Sequence, residues 1–235
     1  MATANSLDEG VPLRIEMWGD IQCLWCYVQR EVLKLVAIGM GGAEIKFRTY
    51  SQFPHVHTGD SPPDDCFKEY HDAFGKVVAE MPPGYDCTEL QRTDSQKAHE
   101  LVHFASARGR AAEMVDRLFR AHFVDGLDVG ELETLVVIAA QCDLDRNEVT
   151  VALQQGWCTA EVEQDNHLAY LLGVSGVPYA TINGRYRLRG VRTPNAMREA
   201  LAGARRSMAE GESRDMESLR DPVMESRLTR EVDRG

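Results

Sequence analysis

The sequence predicts an α/β fold in which an N-terminal β-α-β unit and a C-terminal β-β-α unit are separated by a large all-α insertion. Three observations carry this reading. A strand–helix–strand pattern fills residues 11–50. Helical periodicity without strand signals runs from Pro63 to Leu172. An Asn183-Gly184 turn then joins two short alternating runs.

Each element follows from its residues. Val11 to Trp18 alternates apolar and polar side chains and reads as a strand ended by Gly19-Asp20. After Cys23, Val28, Val32, Leu35 and Val36 recur at helical spacing until the Gly39 to Gly42 break, and Glu44 to Tyr50 is a second strand. About 40 residues suit such a crossover unit. The helical stretch has breaks at residues 81–84, near Gly109, at 125–130 and at 143–145. Within it, Asp128 to Cys142 places Leu132, Leu135, Val136 and Ala139 on one stripe. Val177 to Ile182 and Tyr186 to Arg189 flank Asn-Gly, the strongest short hairpin signal. A closing helix is expected from an N-cap at Thr193, with Pro194 at N1, to about Met208. The expected organisation is one domain from residues 11–62 and 173–208, an inserted helical domain at 63–172, and a charged tail at 209–235. The tail has rough helical spacing at Met216, Leu219 and Val223 and is a candidate homodimer contact, against a solvated, partly disordered reading.

The chain has 235 residues, 43% hydrophobic, with a formal charge of −11 and six cysteines. That charge argues against nucleic acid or an anionic membrane as the main partner, since phosphate binding draws on a basic face. Six cysteines are too few for a secreted disulfide scaffold. Residues 1–10 have no basic n-region, and the apolar run after them is broken by Arg14 and Glu16, so no secretory signal is expected. A cytoplasmic location is expected. Thiols are kept reduced there, and a close cysteine pair is catalytic or metal-binding rather than a staple.

Cys23-Leu24-Trp25-Cys26 falls between a strand and a helix. Unpaired N–H groups and the positive end of the macrodipole at a helix start should stabilise a thiolate at Cys23, the attacking species in thiol–disulfide exchange. Cys26, one turn on, can reach back to resolve a mixed disulfide. A zinc site would need a second such pair, and Cys66, Cys87, Cys142 and Cys158 have no close spacing; they read as small buried hydrophobes. Gly173-Val174-Ser175-Gly176-Val177-Pro178 leads into the late strand, where a proline need not donate to the ladder.

The run WGDIQCLWCYV, the stretches KAHELVHFA and RLFRAHF in the helical part, and LGVSGVPYATINGRYRLRG together resemble the cytosolic, signal-less branch of the DsbA-like thioredoxin-fold family. That branch includes dithiol–disulfide isomerases, some from polyketide pathways, and is related to 2-hydroxychromene-2-carboxylate isomerases and kappa-class glutathione transferases. The resemblance spans about Leu13 to Arg205 and implies a thioredoxin fold with a helical insertion. It implies that Cys23 is the nucleophile and Cys26 the resolving cysteine. Val177 and Pro178 match the cis-proline loop facing the dithiol, and Leu24, Trp25, Val177 and Pro178 are the expected substrate-contacting residues. Asp20 and Trp25 match positions usual in the branch. Leu24 departs from the family, which has proline there, and restores a backbone N–H. No histidine separates the cysteines, so extreme oxidising power is not expected. The related isomerases and transferases usually have serine where Cys23 stands. The expected activity is that of a protein-disulfide oxidoreductase or isomerase on a protein or small-molecule thiol or disulfide. No resident cofactor is expected, and glutathione is a candidate co-substrate. The alternatives are a thiol- or glutathione-dependent small-molecule isomerase of a natural-product pathway and a non-catalytic thioredoxin-fold adaptor.

His99-Glu100-Leu101-Val102-His103 is formally H-E-x-x-H, which on a helix would align two zinc-binding imidazoles beside a general base. No third-ligand continuation follows, and the resemblance accounts for both histidines, so no metal is expected. His55-Val56-His57 reads as a pair of solvated loop histidines.

Overall fold

In the computed structural model, residues 13–52 and 93–209 are described, together with Gly75, Val77 and Ala79. His55, His57, Cys66, Cys87 and the tail beyond Ala209 lie outside the described residues, as does the expected boundary at 62/63. Four strands form the sheet: β1 (Arg14–Gly19), β2 (Glu44–Thr49), β3 (Tyr179–Ile182) and β4 (Tyr186–Arg189). Their order is β2-β1-β3-β4, with β1 parallel to β2 and antiparallel to β3. The first and last parts of the chain thus share one sheet, the thioredoxin arrangement.

Helix α1 (Leu24–Gly39) makes the crossover between β1 and β2, and α7 (Pro194–Ala209) closes the chain against it. Between β2 and β3 the described residues form α2 (Gln96–Ser106), α3 (Ala111–Phe123), α4 (Leu132–Gln141), α5 (Arg146–Gln155) and α6 (Thr159–Leu171). A single buried cluster runs from Ile15 and Met17 of β1 through α1 into Leu101, Leu118, Ile138 and Val149 of these helices. Because this core is continuous, the helical part is packed on the sheet domain rather than tethered to it.

Several local features match their residue chemistry. Asn183 and Gly184 both have positive φ, 50° and 67°, as a primed hairpin turn requires. The Ala196 N–H donates to Thr193 Oγ1 (3.3 Å), so Thr193 caps α7 ahead of Pro194. Helix α4 starts at Leu132, later than Asp128, because the Asp128 carboxylate is used in a turn, accepting from the Gly130 N–H (2.9 Å) and from the Thr93 hydroxyl. The stretch after residue 146, expected as unbroken helix, is divided at Gly156, which ends α5 in the left-handed region at φ 64°. Strand β3 begins after Pro178, which lacks the N–H a ladder position needs.

Two contacts fix α1, and with it the cysteine pair. The Arg30 guanidinium, 3% exposed, donates to Asp116 Oδ1 (2.6 Å) and to the Ala112 carbonyl (3.1 Å) on α3. Gln29 Oε1 accepts from the Arg192 N–H (2.7 Å) in the turn before α7. Tyr27 stacks on Phe123 at 5.5 Å between ring centroids, and Phe47 meets Phe119 edge-on at 5.7 Å. These rings bind sheet, α1 and α3 into one unit.

Candidate active site

The site is built where β1 gives way to α1. The Gln22 N–H donates to Asp20 Oδ1 (3.1 Å) and the Cys23 N–H to the Asp20 carbonyl (3.0 Å), so the Asp20 side chain and backbone turn the chain into the helix. Cys23 is the N-cap, in extended conformation at φ −91° and ψ 109°. Its carbonyl accepts from Cys26 (2.9 Å) and Tyr27 (3.1 Å), the first intrahelical bonds. No acidic residue occupies the first turn, so nothing there offsets the positive end of the helix. Leu24, with an N–H where the family has proline, is accommodated as the first helical residue.

The two cysteines are free thiols in unlike surroundings. Cys23 is half-buried and Cys26 fully buried. Burial pushes the Cys26 thiol well above its ordinary value. Its hydrogen bond to Cys23 and the charge of Cys23 push the same way, and so does the Asp20 charge, against a lowering backbone hydrogen bond from Asp20. Gly19, immediately before Asp20, backs onto this thiol. A Cβ there would stand 3.2 Å from Cys26 Cβ and 2.9 Å from Phe47 Cε2. Cys142 is buried and Cys158 half-buried, each a free thiol against the core of the helical part.

Leu24 and Trp25 are each 8% exposed, so they can offer a substrate only an edge. The Val177–Pro178 peptide is cis. Val177 is half-buried and Pro178 buried, while Ser175 and Gly176 before them are exposed. The Pro178 carbonyl accepts from Gly190 (2.9 Å), which ties the loop to the end of β4.

Sequence reasoning placed Asp20 and the histidine motif but not their relation. Asp20 is completely buried, its Oδ2 accepts from the Gln52 N–H (2.9 Å), and His99 Nε2 lies 3.4 Å from its Oδ1. Burial would raise this carboxyl, but His99, Ser95 and the Gln52 N–H outweigh it and hold the group below the usual carboxylate range. His103 turns to a second acid: its Nε2 is 3.2 Å from Asp165 Oδ2 and 3.1 Å from Thr49 Oγ1. Asp165 also takes Arg48 Nη1 (2.9 Å) and the Thr49 N–H (3.0 Å); burial would raise this carboxyl, but His103, the Thr49 N–H and Arg48 outweigh it and lower the group too. Glu100 accepts from Gln96 (3.3 Å) and Thr159 (3.0 Å). The two imidazoles of the H-E-x-x-H motif are therefore committed to different carboxylates, and the described residues hold no cluster of three or more metal-ligating side chains. The motif's sequence signal was its i, i+4 spacing. Its partners, Asp20 and Asp165, are 79 and 62 residues away and carry no local signal.

A dithiol at a strand-to-helix junction and a cis proline at the start of a neighbouring strand frame the comparison with known proteins. The family model of the DsbA-like thioredoxin domain matches residues 14–202. The chain belongs to the DsbA-like family. This DsbA-like protein is similar to a probable DsbA oxidoreductase of Streptomyces coelicolor, at 26% identity and a TM-score of 0.72, covering 87% of this chain and 93% of the other. The cytosolic disulfide reductase DsbM of Pseudomonas aeruginosa, solved with GSH, shares the fold at 21% identity and a TM-score of 0.57, covering 82% and 99%. A 2-hydroxychromene-2-carboxylate isomerase shares it at 16% and 0.62, covering 85% and 100%. No curated protein matches the chain. No helix among the described residues is long and apolar enough to cross a membrane.

Proposed function

We propose that this DsbA-like protein is a dithiol–disulfide oxidoreductase or isomerase in which Cys23 is the nucleophile and Cys26 resolves. The carrying observation is the asymmetry of the pair: Cys23 is the half-buried N-cap of α1, and Cys26 is fully buried with its proton held firmly. The Cys23 thiolate attacks one sulfur of a substrate disulfide, forming a mixed disulfide and releasing the other sulfur as a thiolate. Cys26 loses its proton and attacks Cys23 Sγ. The Cys23–Cys26 disulfide forms, and the second substrate sulfur leaves reduced. Two electrons pass from protein to substrate; the reverse sequence oxidises a substrate dithiol, and the two in turn isomerise a disulfide.

In this reading the Val177–Pro178 loop, with edges of Leu24 and Trp25, receives the substrate. Its exposed Ser175-Gly176 backbone supplies hydrogen-bonding groups. The substrate is a protein or small-molecule disulfide. Glutathione is the candidate thiol that returns the pair to its reduced form in a reducing, cytoplasmic setting. Retention of both sulfurs supports dithiol exchange over the thiol-dependent isomerase chemistry of related proteins.

The test is disulfide reduction by the purified chain with glutathione as reductant. Cys23→Ser should fall to the background rate, and Cys26→Ser should accumulate a mixed disulfide at Cys23 visible as a mass adduct. Undiminished activity in Cys23→Ser, or a Cys23 that alkylates no faster than a model thiol at neutral pH, overturns the reading. Titration of the pair against glutathione then gives the potential that decides the direction of electron flow.

A further inference from the structure

We propose that Asp165, held by His103 and Arg48, is a positioning residue for the substrate-receiving loop: it seats α6 on the end of β2, and α6 sets where the Val177–Pro178 loop begins. This rests on the reading of that loop as the place where a disulfide docks, and it gives His103 and Asp165 a task that the exchange chemistry leaves unfilled.

The starting point is what α6 buries. Of its 13 residues, the buried ones are Val162, Asp165 and Ala169, a single inward stripe. A carboxylate thus occupies the middle of the face that meets the sheet, between a valine and an alanine. So little apolar surface gives that face a weak hold without direction, whereas a buried carboxylate whose partners are all in place specifies one seat.

Those partners come from β1, β2 and α2. Arg48 Nη1 donates to Asp165 Oδ1 (2.9 Å), the Thr49 N–H donates to Oδ2 (3.0 Å), and His103 Nε2 lies 3.2 Å from Oδ2. Arg48 is itself tied to β1, its Nη2 donating to Glu16 Oε1 at 2.6 Å. The Asp165 carbonyl accepts from Trp18 Nε1 (3.3 Å), so backbone and side chain of this residue are both engaged. Asn166 adds a second hold on the same strand end, its Oδ1 accepting from the Ser51 N–H (2.9 Å).

From this seat to the loop the chain has little freedom. Gly173 ends α6 in the left-handed region at φ 69°. Its N–H donates to the Tyr170 carbonyl (3.0 Å) and the Val174 N–H to the Ala169 carbonyl (2.9 Å), the paired bonds of a Schellman turn. Ala169 and Val174 are buried together with Trp18 and Tyr179, and Val177 packs against the same cluster. Trp18 meets Tyr179 edge-on at 5.9 Å, and the two are register partners between β1 and β3. The loop's exit at Tyr179 is therefore fixed by the sheet. Its entry at Val174 is fixed by α6, and α6 by Asp165. A shift of α6 along β2 moves Val174 and Val177, and with them the exposed Ser175-Gly176 backbone. It leaves Cys23 in place, because the Asp20 carbonyl and the start of α1 hold that residue.

The experiment measures reduction of insulin disulfides by the full chain with glutathione as reductant, beside alkylation of reduced Cys23 by iodoacetamide, which needs no docking loop. His103→Leu should raise KM for insulin about fivefold, the worth of one hydrogen bond, with kcat and the alkylation rate within about twofold of the parent. His103→Gln, which returns a donor at the place of Nε2, should restore KM. An insulin KM unchanged in folded His103→Leu overturns the proposal, as does a KM that stays high in His103→Gln. An alkylation rate that falls as far as kcat/KM marks general damage to the site and overturns it too. If His103→Leu does not fold, Asp165→Asn is read for the same split between KM and alkylation, and a missing split overturns the proposal. Insulin reduction that persists in Cys23→Ser refutes the dithiol reading instead, so the two failures are distinct.

Discussion

Replacing Gly19 by alanine tests whether the contact between β1 and α1 sets the position of the Cys26 thiol. Gly19 is not in the left-handed region, so alanine suits its backbone and the cost is steric. The new Cβ would meet Phe47 Cε2 at 2.9 Å, Phe47 Cζ at 3.1 Å and Cys26 Cβ at 3.2 Å. Phe47 is packed edge-on against Phe119 at 5.7 Å, which limits how far its ring can give. Cys26 Cβ moves only with α1, whose Arg30 is held by Asp116 at 2.6 Å. Overpacking of this kind costs about 1–3 kcal/mol, and the reduced freedom of the unfolded chain returns about 0.4–1 kcal/mol. The expected net loss is about 1–2 kcal/mol, read as a fall of about 2–8 °C in Tm. Urea unfolding with an unchanged m-value would give the same quantity. A variant as stable as the parent, or more stable, would refute the reasoning and show that the strand–helix gap at Cys26 has room to spare.

Removing the acid that serves Arg30 should destabilise more than an ordinary surface change: Asp116→Ala leaves a 3%-exposed guanidinium without its carboxylate and Lys34 without one of its two. A loss of about 1–3 kcal/mol by denaturant titration is expected, reduced from the fully buried case by the partial exposure of Asp116. Asp145→Ala removes the N-cap that accepts the Glu148 N–H at 2.8 Å and should cost about 1 kcal/mol, with Asp145→Asn retaining most of it. Asp20 and Asp165 both sit below the ordinary carboxylate value in the folded chain, so the unfolded chain takes up protons first as pH falls. Their stabilisation is therefore present above about pH 4 and lost as pH drops through the folded values. Tm measured from pH 7 to pH 2 should decline on that acid limb, and less steeply in Asp165→Asn.

Much of the fold was legible because its signals are local. The Asn183-Gly184 turn, the Thr193-Pro194 helix start and the stripe of α1 each depend on residues within a few positions of one another. The break at Gly156 was missed because a lone glycine in a helical pattern is ambiguous until its φ is known. Cys23 and Cys26 were recognisable for the same reason as the hairpin: the first sulfur, the helix start and the second sulfur lie within four residues. The asymmetry between them was not, since burial of Cys26 depends on Gly19, Phe47 and the packing of α1.

By itself the sequence determined that two cysteines lie one helical turn apart, that a strand feeds them into a helix, and that a proline opens a later strand. Only the tertiary structure decided that His99 and His103 belong to Asp20 and Asp165 rather than to each other, and that the Val177–Pro178 peptide is cis. Helical spacing puts two imidazoles one turn apart on the same helix. What each ring touches depends on chain segments more than 50 residues away, brought up by burial of apolar surface in a shared core. Once those acids are buried, each requires partners, and an imidazole is one of those within reach of each.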